Sequence, residues 1–350
     1  MLITVKHYGF HYPPYGTMDV LNHFKFNGPK TFYILDPLSG PELPYDELKA
    51  IDRDHLFVIV QSGEGHSHKE FDILLDVLLN QIGMRPDHVT LYTACLYDPN
   101  SPVNSIGTIA PLCGITLDLT DCKEYADSIP THHYVCLNRL PRWEREEIVE
   151  TLLSRGLDKF GKISYASGLD TTQFRMQYPN ANAQFPMYID EVVSFEQGYN
   201  TANNSISNAM FNIVTESAYE QPDNRPNYAN THVTATISEK TYKTFLTGQI
   251  PIFVAPYHTV TSAREFGFDM FDDVVDHSYD LEVDPIRRIQ LVADQVEKIC
   301  QLSLTELQEL KIKLTPRLLH NYQHVHYWAN NHRANIPRWQ QYFDKLGVLA

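Results

Sequence analysis

Short apolar runs alternate with stretches of helical spacing over the first third of the chain. Runs at 2–8, 31–35, 56–61, 88–97 and 115–119 read as strands. Between the third and fourth, Phe71, Leu74, Leu75, Val77, Leu78 and Ile82 recur every three or four residues, which predicts a helix over 69–82. Weaker helical spacing marks 45–51 and 103–112. Parallel neighbours need a crossover between them, so this alternation predicts a mainly parallel sheet with helices on both faces.

A second unit opens near Thr131. His133-Tyr-Val-Cys-Leu-Asn138 is a buried strand, and Pro141 suits the first turn of a helix running to Arg155. A short strand follows at 161–166. Residues 168–205, rich in Asn, Gln and Tyr, read as a long loop or insertion. The pattern resumes with strands at 209–216, 251–255 and 269–271 and helices at 259–266 and 285–310, with more helix beyond Pro316. Neither a repeat nor a low-complexity segment interrupts it. The expected organisation is α/β, with Rossmann-like domains at 1–130 and 131–310 and a helical tail at 311–350.

With 350 residues, 43% of them hydrophobic, the chain can fill two cores. Its longest apolar runs, such as 56–60, are far shorter than the ~20 residues needed to span a bilayer. Met1-Leu-Ile-Thr-Val-Lys leads straight into a strand, without the basic and apolar regions of a signal peptide. Five scattered cysteines without a Cys-x-x-Cys pair read as buried thiols in a reducing compartment. A cytoplasmic protein is expected, in the host cytoplasm if the chain is viral. The net charge of −15 argues against a basic nucleic-acid coat. The tail differs: from Lys311 to Ala350, six basic residues stand against Asp344 alone, interleaved with Tyr322, Tyr327, Trp328 and Trp339. It reads either as a bracket whose aromatics pack onto a core, or as a surface for phosphates and bases.

Ligands of open α/β sheets bind beyond the carboxyl ends of the strands. That rule singles out the loop Asn138-Arg-Leu-Pro-Arg142, the residues after Tyr165 and Glu216, and the approach to Glu239. The stretch from Thr236 to Pro256 predicts a capped helix, a tight turn and a buried strand. Its helix start carries Glu239, Lys240 and Lys243 where free N–H groups and the dipole favour anions. Thr236-x-x-Glu239 is also a capping box, and Glu239 with Lys243 an ordinary ion pair. Arg139, Arg142 and Arg145 read either as phosphate contacts or as a solvated helical turn. Tyr165 reads as a base-packing or core residue, and Glu216 as a ribose or sugar-hydroxyl contact. The pairs His66/His68 and His132/His133 lack a third ligand at a useful spacing, and Asp52-Arg-Asp54 precedes a strand instead of following one. No metal is required.

The order Asn138-Arg139-x-x-Arg142-x-x-Arg145, Ile163-Ser-Tyr165, Val214-Thr-Glu216, Ser238-Glu-Lys-Thr-Tyr-Lys243 and Gly248-x-x-Pro-Ile-Phe-Val254 resembles the donor half of GT-B nucleotide-sugar glycosyltransferases. These have two facing Rossmann-like domains. The likeness is to the α1,3-fucosyltransferase type, with its Thr-Glu-Lys helix followed by Ala-Gly-x-Val-Pro-Val-Val, and to phage glycosyltransferase-like proteins. It covers roughly 134–275. It implies that Glu239 meets the donor ribose, that Lys240 binds the diphosphate, and that one of Arg139, Arg142 or Arg145 does so too. Ser238 stands where Thr is usual, and Thr247-Gly where Ala-Gly is usual.

The implied function is hexosyl or pentosyl transfer from a UDP- or GDP-linked sugar to an acceptor hydroxyl, without a metal or bound cofactor. Inverting transfer needs a base. The loop Gly63-Glu64-Gly65-His66 follows a strand, and its glycines allow close approach of a ligand. Glu64 is foremost, then His66, Asp98 and Asp19. The resemblance does not extend to the N-terminal half, so the acceptor is not inherited from it. A glycan or small hydroxyl compound is expected. The alternatives are DNA bearing 5-hydroxymethylated cytosine, met by the tail, or a non-catalytic nucleotide- or sugar-binding role.

Overall fold

Five strands of the N-terminal part pair side by side in the order they occur in the chain, in this computed structural model. They are β1 (Ile3–Tyr8), β2 (Lys30–Leu35), β3 (Leu56–Ser62), β4 (Val89–Thr93) and β5 (Asn104–Gly107), and every pairing is parallel. The structure describes residues 3–8, 17–35, 44–62, 73–93, 103–107, 127–166, 208–216, 237–330 and 336–350, with Thr172, Met176, Met187 and Tyr219 besides. The chain forms two units. One takes Met1–Pro111, Asp223–Ser238 and His326–Ala350; the other takes Leu112–Pro222 and Glu239–Val325.

The period of two along each strand sorts the first unit's core into two faces. Tyr33, Leu35, Val58, Val60, Val89 and Leu91 meet Leu48 of α2 (Tyr45–Ala50) and Leu74, Leu75, Leu78 and Ile82. The latter lie on a helical stretch that is wound wider, as π-helix, over Val77–Gln81. Arg53 ties both helices down, donating to the carbonyls of Leu48 and Ile82. The other face is aromatic. Phe32, Ile34, Phe57, Ile59 and Tyr92 are covered by Val20 and Leu21 of α1 (Thr17–His23) and by Trp339, Tyr342 and Phe343 of the last helix, Ile336–Leu346. The Phe343 ring sits 5.2 Å from Phe24 and 5.1 Å from Phe26, both edge-on, an arrangement that ring quadrupoles favour. Backbone bonds add to this: Asn27 N–H donates to Val348 O at 2.9 Å, and Ala350 N–H to Lys25 O at 2.8 Å.

The helix expected over 103–112 is corrected. Asn104–Gly107 is instead the edge strand, paired with Thr90 to Thr93 and sending Ile106 into the aromatic face. The spacing of three between Val103 and Ile106 is local, and a ladder against an exposed strand edge outweighs it.

The second unit has four parallel strands in the order β7-β6-β8-β9: β6 (His132–Asn138), β7 (Gly161–Tyr165), β8 (Ala209–Thr215) and β9 (Ile250–Val254). Gly161 opens β7 because a Cβ there would lie 2.5 Å from the Tyr134 ring on β6. Helices α3 (Trp143–Ser154) and α6 (Pro285–Ile299) pack together, with Arg155 bonding Asp294 and Gln290 at 2.7 and 3.1 Å. Helix α4 (Glu239–Leu246) packs on β8 and β9, and α5 (Thr259–Glu265) follows β9.

Two expectations fail here. Residues 269–271 are a turn, not a strand: Phe271 has φ 57° and donates its N–H to the Asp269 carboxylate, which also pairs with Arg317. The single helix over 285–310 stops at Ile299, and α7 (Leu304–Asn330) starts afresh. Ser303 and Glu306 form a reciprocal capping box there, at 2.7 and 3.2 Å. Pro316 lies inside α7 without ending it. No helix among the described residues is long and apolar enough to cross a membrane.

Part of the tail is engaged inside the fold, while Lys313, Lys345 and Tyr327 are exposed. Trp339 and Tyr322 are fully buried, and Arg317 bonds Asp269 and Asp273. Lys311 is 1% exposed and donates to Ser128 Oγ at 2.8 Å. These contacts agree with the bracket reading at the residues named.

Trp339→Ala should cost the first unit about 3–5 kcal/mol, the usual range for emptying a buried aromatic site, read as a lower urea midpoint. Burial pulls the Lys311 ammonium down to about 8. The folded state therefore binds this proton less readily than the unfolded chain does. Lys311 disfavours folding below about pH 8, and the penalty fades as pH rises toward the ordinary lysine value near 10.4. Lys311→Met should thus melt at or above the parent at pH 7, with the difference shrinking by pH 9.5. A difference that grows with pH would refute this account.

Candidate functional site

The order of the second sheet reverses between β6 and β8: the chain leaves β6 for β7 on one side and returns to β8 on the other. Beyond the carboxyl ends of two such strands a crevice opens, because their onward connections part in opposite directions. Asn138 ends β6 and Thr215 ends β8. Thr215 Oγ1 donates to Asn138 Oδ1 at 2.7 Å, and Asn138 Nδ2 donates to Cys136 Sγ at 3.3 Å. The Asn138 backbone N–H donates to Ser164 Oγ at 3.1 Å, so one buried residue, through its backbone and its side chain, joins the ends of β7, β6 and β8. Burial pushes the Cys136 thiol up to about 12, which keeps it an inert part of this floor.

The loops carrying the predicted residues rise from this floor. Arg139 is exposed and Arg142 half-buried, the latter in extended conformation directly before α3. Arg145 points inward: it is 5% exposed and donates Nη1 to Leu140 O at 3.0 Å, bracing the loop. Tyr165 is buried, its hydroxyl donating to Glu146 Oε2 at 3.2 Å while its backbone bridges Met187. Glu216 is fully buried, with its N–H on Val254 O at 3.0 Å. Its Oε1 accepts from Thr241 Oγ1 at 2.6 Å, so Glu216 grips the first turn of α4.

Threonines hold α4 at its other end. Thr247 Oγ1 bonds Lys243 O at 2.9 Å and Gln249 Oε1 at 3.0 Å, and Gln249 Nε2 reaches Ala209 O at the start of β8. Gly248, with φ 61°, makes the left-handed exit. The helix is thus bound to both ends of β8, with Lys240 and Lys243 half-buried along it and Ser238 buried just before it.

Two neighbouring helix starts are closed by the protein's own carboxylates. Asp280 accepts from Val260 N and Thr261 N at 2.8 and 2.9 Å at the head of α5. Asp284 accepts from Ile286 N and Arg287 N, both at 2.9 Å, at the head of α6. The head of α3 has no side-chain cap.

The arrangement therefore gathers Arg139, Arg142, Tyr165, Glu216 and the first turn of α4 with Lys240 around the carboxyl edge of one sheet, whereas Lys243, expected at the helix start, lies in its last turn. Glu64, His66 and Asp98 lie outside the described residues, as do the side chains of Asp19 and Glu239. The histidine pair separates: His132 Nδ1 lies 2.7 Å from Thr131 Oγ1, and His133 Nε2 lies 2.7 Å from Leu302 O. Among the described residues no three potential ligands cluster for a metal. Sequence reasoning passed over Asn138 as more than a loop head, and Thr241 altogether. Their signal is a polar residue inside an otherwise apolar strand or helix face.

No protein-family model matches the sequence, and no curated protein matches it. Among solved structures the chain is similar to the "Glycosylation Associate Protein (Gap123) complex from Streptococcus agalactiae". The TM-score is 0.37 at 10% identity, over 91% of this chain and 56% of that one. The present chain thus spans little more than half of that protein, and the reading of the site rests on its own geometry.

Thr241→Val should destabilise the second unit by about 1–3 kcal/mol, because it strips a donor from a buried carboxylate. Thr241→Ser, which keeps the hydroxyl, should restore most of that in chemical denaturation.

Proposed function

We propose that the carboxyl edge of the second sheet binds the diphosphate of a nucleotide sugar, and that the protein is a GT-B-type, metal-independent glycosyltransferase. The observation carrying this reading is the reversal of strand order between β6 and β8. Arg139 follows one of those strands and Glu216 the other, with the lysine-bearing helix fastened to Glu216. Arg139, Arg142, Lys240 and Lys243 offset the charge of the departing diphosphate, a role in which fixed cations need no metal. Ser238 and Glu239 meet the ribose, and Tyr165 with Arg145 and Glu216 holds the frame.

In the transfer, the acceptor O–H gives its proton to a base and the oxygen bonds the anomeric carbon. The bond from that carbon to the diphosphate oxygen breaks with its electrons leaving on phosphate. Glu64, His66 and Asp98 are the proposed bases, and the donor is UDP- or GDP-linked. A glycan or small hydroxyl acceptor is preferred over hydroxymethylated DNA, since Trp339, Lys311 and Arg317 of the basic tail are engaged within the fold.

A thermal-shift screen of UDP, GDP, CMP and ADP sugars tests the reading. A donor at a hundred times its Kd stabilises by about 2.7 kcal/mol, and Arg139→Ala and Lys240→Ala should each abolish the shift. No shift with any of the four would sink the proposal. Shifts without hydrolysis or transfer of any sugar would favour a non-catalytic binder.

A further inference from the structure

Glu144 lies in the first turn of α3, two residues beyond Arg142, and is 3% exposed. Its Oε1 has no hydrogen-bond partner, and Arg145 Nε stands 3.8 Å away, beyond hydrogen-bond reach. A buried carboxyl oxygen left without a donor is costly and requires an explanation. Burial pushes the Glu144 carboxyl above the usual range, against the pull of its own N–H and of Arg145 and Arg142.

Among the described residues, the charged groups that bear on it come from three elements. Arg142 and Arg145 come from its own loop and helix, and Glu146 is held by Tyr165. The helix packed alongside, α6, brings Arg288, whose guanidinium lies over the Tyr219 ring and donates to Ala255 O. Farther along α6, Asp294 and Glu297 are paired with Arg155. None of these supplies Oε1 with a hydrogen bond. The α3 start therefore combines an uncapped turn, two flanking arginines and a buried carboxyl readily made neutral. A carboxylic acid donates where a carboxylate only accepts, and a neutral acid at a buried anion site is a known device.

Resting on the donor-site reading above, we propose that Glu144 binds the phosphate end of the ligand as the neutral acid, its O–H donating to a phosphate oxygen. Each nucleoside diphosphate bound then brings about one proton onto the protein. Affinity falls as pH rises, by up to about tenfold per unit where that proton is fully linked. Glu144→Gln keeps the shape and a donating N–H but cannot titrate.

Calorimetric titration of the full chain with UDP, GDP and inorganic pyrophosphate, each in two buffers of different ionisation enthalpy between pH 6.5 and 8.5, tests this. The expected result is proton uptake by the parent beyond that of Glu144→Gln, with the variant binding at least as tightly as the parent at pH 8.5. Equal uptake in parent and variant overturns the proposal, and so does weaker binding by the variant at every pH. If the variant does not fold, zero uptake by the parent alone overturns it. Glu144-linked binding of pyrophosphate without binding of any nucleotide or nucleotide sugar would uphold the role of Glu144 and refute the glycosyltransferase reading. No binding of any of the three probes refutes the role of Glu144.

Discussion

The bond from Thr215 to Asn138 is the constraint on which the second unit's architecture turns. Both groups end apolar strands and both are buried, so each needs a partner the solvent cannot supply. They satisfy one another, and Asn138 passes the constraint to Cys136 and to Ser164 on the next strand. Three strand ends are thereby held level where the strand order reverses. Loops leaving a level edge start from fixed points, which is what a site assembled from several loops needs.

The fastening of α4 obeys the same logic. A helix of eight residues is marginal alone, and here its polar contacts face inward. Glu216 takes its first turn and the Thr247–Gln249 pair its last. Buried hydroxyls between apolar residues make Thr241, Thr244 and Thr247 part of the packing. Lys240 and Lys243, both half-buried, are thus carried on a rigid mount.

Much of this architecture was legible in the chain. The strands at 31–35, 56–61, 133–138 and 251–255 announce themselves because both faces are largely buried and the runs are mostly apolar. The edge strand 104–107 does not, because four residues carry too little period to compete with a helical reading. The break after Ile299 was readable from Ser303-x-x-Glu306, yet the apolar stripe running through it masks the restart. Arg145 shows the limit of motif spacing: three arginines at regular intervals look equivalent, and only the backbone decides that one turns inward to a carbonyl. Glu144, the acid beside it, looks like an ordinary first-turn carboxylate until its burial is known.

The aromatic face of the first sheet is closed by residues 336–350, more than 200 positions after the last strand it covers. During synthesis Phe26, Phe32 and Phe57 emerge early, while Trp339 and Phe343 emerge only after the whole second unit has been made. Within this sequence the aromatic face of the first sheet therefore stays open until the second unit has been made. Closing so long a loop is slow, and an open aromatic surface in the meantime invites aggregation or chaperone capture. Order of birth and order of completion are inverted in this chain, and the last helix acts as the stopper.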